Sequence, residues 1–447
     1  MSIIKKVLSV FKNIHFQSLL GNGVMAIFSM VTVAILYRAL SIIEVGVYVL
    51  FMTVFGLVDN LKGGFLTNPY IKFYSGSGEN RSKEVAGSAW VLVLIVTLVV
   101  VVLNIPAYFL IPYVKNSGVI LFIKFFAVTF MSSVPHFMAN LAVQSEKRFD
   151  RLLWLRLINQ ILFTGTVVVL IFIKRSTLTN IVISYIMANA VTSITMLAVG
   201  WTRIKNIAFA TKATIAEIAN FGKYSMGTSL SSNLFGFTDT MMITIFLGPA
   251  GLALYNLGVK LNQIVEIPML SFAASGFPTL SGYYNTKQPE EMMYTMKKLI
   301  GMLSIAIAII AVLAVIFAEP IIGIVGGAKY IHTQAPNLFR IFISITVLYP
   351  ADRFLALTLD VIHMPKINFY KILVMLIVNL VADYIAVSMF KSVYAIALTN
   401  VFPVLIAIII AYVPLNKYYK FSFWNIYVVG YKETVLFIKE TYHSLLS

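Results

Sequence analysis

Charged side chains interrupt long apolar stretches of this sequence. Eleven of them lie within runs of about 20 mostly apolar residues, the length that crosses a bilayer as a helix. A charge at the centre of a lipid-facing helix costs roughly 2.5–3.5 kcal/mol, so these side chains must face an interior or a hydrated cavity, or reach the interface from a span end. They are Lys62, Lys124, Lys260, Arg340, Arg353, Asp59, Asp239, Glu266, Asp352, Asp360 and Asp383.

One group of polar residues has the spacing of a helix face. Asn256, Lys260 and Gln263 are spaced i, i+4, i+7 and lie on one stripe. Glu266 follows one turn further on. The stripe predicts either a lining for a substrate path or a set of internal polar contacts.

The other cations and carboxylates leave similar alternatives open. Asp59 and Lys62 are spaced i, i+3 and can pair directly. Arg353 follows Asp352 in the chain, so these two lie on different helix faces and need different partners. Lys62 and Arg353, like Lys260, either line a substrate path or neutralise buried carboxylates.

The remaining embedded charges have plainer alternatives. Lys124 and Asp383 fit buried pairs or side chains that reach the interface from a span end. Arg340 and Asp360 also fit an interfacial position, because their span is long. Asp239, like Asp59 and Glu266, either carries protons or balances a cation.

Membrane-spanning helices must position these side chains. Of 447 residues, 60% are hydrophobic and 11% charged, whereas soluble chains run to about 45–50% apolar and about 25% charged. This composition excludes an ordinary soluble enzyme and a disordered chain, and it predicts an all-α polytopic membrane protein. Twelve stretches are long and apolar enough to span: Phe16–Tyr37, Val45–Tyr70, Gly87–Val114, Gly118–Val143, Leu152–Ile173, Asn180–Trp201, Tyr224–Leu247, Leu252–Tyr283, Leu299–Val325, Ala335–Val361, Ile372–Phe390 and Val393–Val413.

Basic residues are unequally distributed between the two sides of the predicted membrane. The chain has 34 Lys and Arg against 17 Asp and Glu, a net charge of +17. Alternate loops place 23 of the basic residues on one side and 6 on the other. By the positive-inside rule, the first side and both termini are cytoplasmic. The net charge therefore reflects topology and predicts no nucleic-acid partner.

Two segments 207 residues apart resemble each other. Leu40–Tyr48 and Leu247–Tyr255 align with leucine, a small residue and tyrosine in register, and at the same offset Asp59 falls on Glu266. Six plus six spans preserve orientation, so the sequence predicts 12 transmembrane helices in two six-helix lobes related by a parallel pseudo-repeat. Such an architecture is typical of transporters that work by alternating access.

The repeat also predicts the domain boundaries. Residues 1–210 form an N-terminal six-helix lobe with a cytoplasmic linker, and residues 211–413 form the C-terminal lobe. Residues 414–447 form a cytoplasmic tail with an apolar run too short to span a bilayer. We expect an amphipathic helix in the membrane interface there, with a partial thirteenth span as the alternative.

Catalytic and cofactor motifs are missing from the sequence. It contains no cysteine, which excludes disulfides, iron–sulfur clusters and cysteine nucleophiles. No Walker loop, His-Glu-x-x-His motif or Gly-x-Ser-x-Gly elbow occurs. The sequence therefore predicts a protein that is not an enzyme, with neither cofactor nor metal.

Several segments resemble one family of exporters. Tyr37–Ser41 followed by Val45–Tyr48 resembles the signature after the first helix of polysaccharide exporters. Phe221–Tyr224, with Phe237–Ile243 further on, is similar to the start of that family's second half. Phe317–Gly327 is the most specific stretch, and it resembles a segment shared by O-antigen flippases of the Wzx type.

The last matching segment, Lys391–Asn400, resembles the entry to the family's twelfth helix. It departs from the family in having Ser392 and Tyr394 where glycine is common. The resemblance covers the chain to about Val413, and it is specific to the multidrug/oligosaccharidyl-lipid/polysaccharide exporter (MOP) superfamily.

The resemblance implies a function. Family members of this type translocate undecaprenyl-diphosphate-linked oligosaccharides from the cytoplasmic to the outer leaflet of the bacterial plasma (inner) membrane, for O-antigen, capsule or exopolysaccharide assembly. Partners implied are the lipid-linked substrate, the bilayer, and polysaccharide polymerase and chain-length proteins. The implied diphosphate and glycan site consists of Lys62, Lys260, Arg340, Arg353, Asn256 and Gln263. The residues implied for ion coupling or charge balance are Asp59, Asp239, Glu266, Asp352 and Asp360.

Other functions remain open at this point. A cation-coupled multidrug exporter of the same superfamily is one, although a cavity that takes cations would be expected to hold few basic residues. A lipid II flippase is another, although those relatives usually have fourteen helices. A membrane enzyme is disfavoured because no catalytic constellation is visible.

Overall fold

A computed structural model of the chain describes residues 14–114 and 117–446. These residues form α-helices joined by short turns and two 3₁₀ segments, with no strand in either range. Lys5, Lys6, Lys12 and Lys115, which entered the count of loop charges, lie outside the described residues. The helices are α1 Ile14–Ala39, α2 Ile42–Tyr74, α3 Glu79–Leu110, α4 Ser117–Ser145, α5 Phe149–Phe172, α6 Leu178–Ala198, α7 Lys212–Asn285, α8 Pro289–Ile316, α9 Ala318–Gly326, α10 Ala328–Ile331, α11 Ala335–Thr346, α12 Tyr349–Val361, α13 Pro365–Phe390, α14 Val393–Thr399, α15 Val401–Tyr418 and α16 Asn425–Leu446.

Many of the helices are long and apolar, as a multi-pass membrane protein requires. In the described part of the chain, ten have the length and composition to cross a membrane, and Gly23–Ala39 of α1 is a shorter apolar helix. One of the ten, Asn233–Asn285, has 53 residues and covers most of two predicted spans. The predicted all-α membrane fold is confirmed, and the count of twelve spans stays a prediction.

A glycine interrupts α7 where the sequence predicts a loop between two spans. Gly248 has φ 77° and ψ 178°, a conformation that side chains with a Cβ rarely adopt, and Pro249 follows it. Ser41, which aligns with Gly248 in the repeat, caps the N-terminus of α2 and receives a hydrogen bond from the Glu44 amide. Aligned positions of the two repeat segments therefore both precede the start of a helical segment.

The ninth predicted span ends earlier than expected. Leu299–Val325 is continuous in the sequence-based prediction, but α8 ends at Ile316 and α9 begins at Ala318. Pro320 explains the break, because it has no amide hydrogen to continue the α8 ladder yet fits the first turn of a new helix. The predicted end at Val325 is therefore wrong.

The chain divides into two compact units, of which unit 1 comprises Met1–Thr240. Leu66 and Trp90 are almost fully buried in a core cluster formed by α2, α3, α4 and the start of α7. Gly222 of α7 lies against α2, where an added Cβ would come within 2.2 Å of the Phe65 carbonyl oxygen. The first part of α7 thus packs on unit 1, whereas the lobe boundary after residue 210 stays a prediction.

Unit 2 comprises Met241–Ser447. Its core cluster draws on α7, α8, α11, α12, α15 and α16, and Phe354 and Ile426 are fully buried in it. Helix α16 packs on α8 so closely that a Cβ added to Gly430 would lie 2.3 Å from the Cα of Gly301. The predicted tail therefore contains a helix with one side against the rest of unit 2, and its position in the membrane interface stays a prediction.

A polar contact extends the packing of α16 on α8. The Glu433 carboxylate pairs with the Lys298 ammonium and accepts a hydrogen bond of 2.6 Å from the Tyr294 hydroxyl. Gly430 meets Gly301 one turn away, so the two helices run antiparallel. The contact therefore joins the tail to the first three turns of α8.

Gly430→Ala is expected to weaken this contact. The added methyl group has no space against the α8 backbone, so α16 must shift, at a cost of about 1–3 kcal/mol. Thermal unfolding of the purified protein in detergent should show a lower Tm. Gly282→Ala is the control, because nothing lies within 4 Å of that position. An unchanged Tm for Gly430→Ala would contradict the close approach.

Acid is expected to release the same contact. Hydrogen bonds from Lys298 and Tyr294 hold the pKa of Glu433 below its usual value of 4.5. A carboxyl group whose pKa is lowered on folding stabilises the protein above its ordinary pKa, and this contribution is lost as pH falls through the lowered value. The Tm difference between the native chain and Glu433→Gln should therefore shrink between about pH 6 and about pH 3. A difference that stays constant over this range would refute the assignment.

Candidate functional site

A buried lysine of α2 lies in the polar interior of unit 1. The Lys62 ammonium is 2.6 Å from the Asp59 carboxylate, and the two side chains are 0% and 36% exposed. The ammonium also donates to the Ser133 hydroxyl of α4 at 3.3 Å. The rings of Phe130 and Phe137 each lie 4.5 Å from the ammonium nitrogen, within cation–π range. Lys62 is thus enclosed, and Asp59 is the member of the pair that reaches the surface.

A serine of α6 forms hydrogen bonds with the backbone of α4 next to its internal proline. Pro135 has no amide hydrogen and disturbs the helical ladder around it. The His136 amide donates to the Ser193 hydroxyl of α6 at 3.1 Å, and that hydroxyl donates to the Ser132 carbonyl at 2.7 Å. In a regular helix these two backbone groups bond each other. Ser193 therefore links these two backbone groups and joins α6 to α4 beside the residue that contacts Lys62.

Amides and hydroxyls extend this interior towards α1, α5 and α6. The Asn159 amide donates to Asn189 at 3.0 Å and to Thr192 at 3.3 Å. The Gln160 amide donates to the Thr32 hydroxyl at 2.5 Å. Unit 1 thus contains a polar interior within helices that are apolar enough to cross a membrane.

In unit 2, the predicted stripe lies on the second part of α7. The Lys260 ammonium donates to the Gln263 side-chain oxygen at 3.4 Å, as the spacing predicts. Lys260, Asn256 and Glu266 are half-buried, and Gln263 is exposed. Among the described residues, neither Lys260 nor Glu266 forms an ion pair.

The stripe faces away from α11. On the other side of α7, the Asn262 side chain accepts a hydrogen bond of 2.6 Å from Thr346, and Gly258 lies against the ring of Phe342. Lys260 lies midway between Gly258 and Asn262, two residues from each, and so points to the opposite side of the helix. The cation is therefore directed away from the α7–α11 contact.

The Arg340 guanidinium makes three intramolecular contacts. It is 3.2 Å from the Glu319 carboxylate and donates to the Asn337 side chain at 2.6 Å. It also donates to the Val315 carbonyl at 3.1 Å. Arg340 therefore joins the end of α8 to α9 and α11, and its role at a diphosphate stays a prediction.

The two carboxylates of α12 have partners on α13. Asp352 is 2.6 Å from the buried Lys371 ammonium, and Asp360 accepts a hydrogen bond of 2.7 Å from Asn368. Arg353 is exposed and forms no ion pair in the part of the chain that the structure describes. Sequence reasoning missed Lys371, which it assigned to a loop because the residue directly precedes the predicted span. The signal available in the sequence was Asp352, an embedded carboxylate that needed a cationic partner.

Three further embedded charges lie apart from these groups. Lys124 is exposed on α4, and Asp239 is buried in α7. Asp383 is fully buried and accepts hydrogen bonds from Asn379 at 3.0 Å and Thr399 at 2.5 Å. Two neutral side chains, one on the same helix and one on α14, thus contact this carboxylate.

Apolar spanning helices around polar interiors are typical of membrane transporters. Residues 11–284 match the family model described as polysaccharide biosynthesis protein, and residues 225–385 match the MatE family model. The first match covers more than half of the chain, which therefore belongs to the polysaccharide biosynthesis protein family. No curated protein sequence matches it.

Solved structures share the fold along almost the whole chain. An inward-facing multidrug resistance MATE family transporter of the MOP superfamily has a TM-score of 0.73 at 16% identity, covering 89% of this chain and 96% of that chain. The lipid II flippase MurJ, in an inward closed conformation, has a TM-score of 0.69 at 14% identity, covering 96% and 99%. A MOP superfamily transporter from Pyrococcus furiosus, whose description notes a reversed polarity of the binding pocket, has a TM-score of 0.59 at 15% identity, covering 90% and 94%. The predicted exporter superfamily, as opposed to an enzyme family, is confirmed.

Lys62→Met is expected to destabilise unit 1, because it leaves Asp59 without its cation. Breaking a fully buried pair costs about 3–5 kcal/mol. Since Asp59 is 36% exposed, we expect a smaller loss of about 1–3 kcal/mol. Thermal unfolding in detergent measures this loss, and adding Asp59→Asn should recover most of it. Purely additive effects in this double-mutant cycle would argue against a direct pair.

Proposed function

We propose that the protein is a flippase for undecaprenyl-diphosphate-linked oligosaccharide repeat units. It moves them from the cytoplasmic to the outer leaflet of the bacterial plasma membrane, by alternating access, for assembly of a surface polysaccharide. Membership of the polysaccharide biosynthesis protein family and the fold shared with a lipid II flippase support this proposal. The observation that carries it is the half-buried position of Lys260 and its lack of an ion pair among the described residues.

Lys260 is a half-buried ammonium in a helix apolar enough to cross a membrane, and no described carboxylate pairs with it. A charge in that position is costly unless an opposite charge approaches it. Diphosphate oxygens supply that charge and accept charge-assisted hydrogen bonds from the ammonium. The amides of Asn256 and Gln263, on the same stripe, suit sugar hydroxyls or the diphosphate.

Arg353 is the second cation that we assign to the substrate. It is exposed, it forms no ion pair in the described ranges, and its planar fork matches phosphate oxygens. Lys62 and Arg340 already hold Asp59 and Glu319, so they bind substrate only by exchanging these partners. We therefore place the first diphosphate contact at Lys260 and Arg353.

The carboxylates have a separate role in this proposal. Glu266 has no described cationic partner, so we assign it to proton or ion coupling. Asp59 and Asp352 balance Lys62 and Lys371. Asp239 and Asp360 remain further candidates for the same two tasks. We also propose cytoplasmic termini, and polymerase and chain-length proteins as partners.

A cation-coupled drug exporter is the second candidate. The match of residues 225–385 to the MatE model and the half-buried Glu266 favour it. A cavity for cationic drugs is expected to be acidic, however, and Lys260 lies on the same stripe as Glu266. A lipid II substrate would instead preserve the diphosphate contact and change only the glycan.

Deletion of the gene should abolish the surface polysaccharide and leave lipid-linked repeat units on the cytoplasmic face. Labelling of surface glycan and extraction of the lipid-linked pool measure the two effects. Persistent surface glycan with raised drug sensitivity would favour the drug exporter. Accumulated lipid II with intact polysaccharide would favour the lipid II flippase.

Lys260→Gln in the restored gene should reduce surface polysaccharide by about tenfold or more, because a charge-assisted contact worth about 1.5–3 kcal/mol is lost. Immunoblotting of membranes should show unchanged protein levels. The matched control is Lys366→Gln, which removes an exposed lysine from the first turn of α13. Normal export by Lys260→Gln would refute the cationic site. The deletion experiment would then decide separately whether the protein is a flippase.

A further inference from the structure

The turn between α15 and α16 forms an organised hollow at the end of a membrane span. The backbone amide of Phe421 donates to the Asn416 side chain at 2.8 Å, and the Tyr412 hydroxyl donates to the Phe421 carbonyl at 2.8 Å. The Tyr412 and Phe421 rings also pack edge to face, with centroids 5.1 Å apart. These contacts fold the chain back along the last two turns of α15.

The hollow has a volume of about 640 Å³ and carries two lysines. It is lined by Asn416, Lys417, Lys420, Phe421 and Ser422. Lys417 and Lys420 are exposed, and neither forms an ion pair with any described residue. Two free ammonium groups beside an amide and a hydroxyl suit the oxygens of a phosphate.

The hollow also lies at the end of an apolar helical span. Val393–Tyr418 is apolar enough to cross a membrane, and the lining residues begin in its last turn. Trp424, two residues beyond Ser422, is 74% exposed and contacts the ring of Tyr427. Tryptophan and tyrosine are enriched where a protein meets lipid headgroups.

One face of α16 continues this surface. Trp424, Val428 and Tyr431 are spaced i, i+4, i+7 and are all exposed. They lie on the side of the helix opposite Ile426 and Gly430, which pack on α8. The exposed face therefore starts at the hollow and is free of the unit 2 core.

Loop lysines by themselves do not indicate a ligand, since cytoplasmic loops are enriched in them whatever the protein binds. Lys417 and Lys420 have three further features. They line one hollow, the hydrogen bond from Phe421 to Asn416 spans both of them, and an exposed tryptophan follows four residues after Lys420. These features, and not the charges alone, favour a binding site.

We propose that this hollow binds the phosphate-bearing headgroup of an anionic phospholipid in the surrounding leaflet. Lys417 and Lys420 contact the phosphate, and Trp424 with Val428 and Tyr431 covers the glycerol and the start of the acyl chains. Because α16 packs on α8, the bound lipid also helps to position α8. The site does not depend on what the protein transports.

The test measures lipid binding by the purified full-length protein in zwitterionic nanodiscs with increasing phosphatidylglycerol. Brominated phosphatidylglycerol quenches tryptophan close to its acyl chains. The chain has four tryptophans, so the difference between the native protein and Trp424→Phe isolates the signal of Trp424. We expect saturable quenching of Trp424 that weakens as salt is raised.

Lys417→Glu with Lys420→Glu should reduce the apparent affinity about tenfold or more, since each lysine contributes to attraction at an anionic surface. The matched control reverses two exposed lysines outside the hollow, Lys287→Glu with Lys366→Glu, and should bind like the native chain. If the double glutamate variant does not fold, Lys417→Gln with Lys420→Gln removes the charges more mildly.

Three results would overturn the proposal. One is equal quenching in the lysine variants and the native chain. Another is equal quenching by brominated zwitterionic lipid. The third is full competition by millimolar inorganic phosphate, which would assign the hollow to a free anion and not to a lipid.

Discussion

Inside a bilayer no water is available to satisfy a charge or a backbone polar group, and this constraint governs both units. Unit 1 meets it at Lys62 with a carboxylate, a hydroxyl and two aromatic faces. It meets the same constraint beside Pro135 with the Ser193 hydroxyl, which accepts from the His136 amide and donates to the Ser132 carbonyl. Proline and lysine are therefore tolerated in these helices because a neighbouring helix, and for Lys62 also its own helix, supplies partners.

Some embedded cations of unit 2 follow this rule, and the residues of functional interest are those that do not. Lys371 and Asp352 neutralise each other, and Arg340 is held by Glu319. Lys260 and Arg353 have no such carboxylate in the described ranges. A half-buried cation left without a counter-ion is costly in the empty protein, and the cost falls when an anionic ligand arrives. For this reason we assign Lys260 and Arg353 to the substrate, and the paired cations to stabilising the fold, although the residue types are the same.

Much of the fold and part of the site follow from sequence patterns. Apolar runs define the spanning helices because the bilayer sets their length, and the loop at Gly248 follows from a glycine and a proline between two such runs. The Asp59–Lys62 pair and the Lys260–Gln263 contact follow from helical spacing, since both partners lie on one helix. Arg340 with Glu319 and Lys371 with Asp352 join different helices, and no single-helix periodicity indicates such partners.

The sequence by itself thus determined the class of the protein, its apolar helices and the contacts made within one helix. These depend on local composition and on a repeat of 3.6 residues per turn. Only the tertiary structure decided which charges are neutralised and which stay available, and that α16 turns back to pack on α8 through Gly301 and Gly430. Those outcomes depend on which residues meet across helices that lie far apart in the chain, and packing in three dimensions decides that.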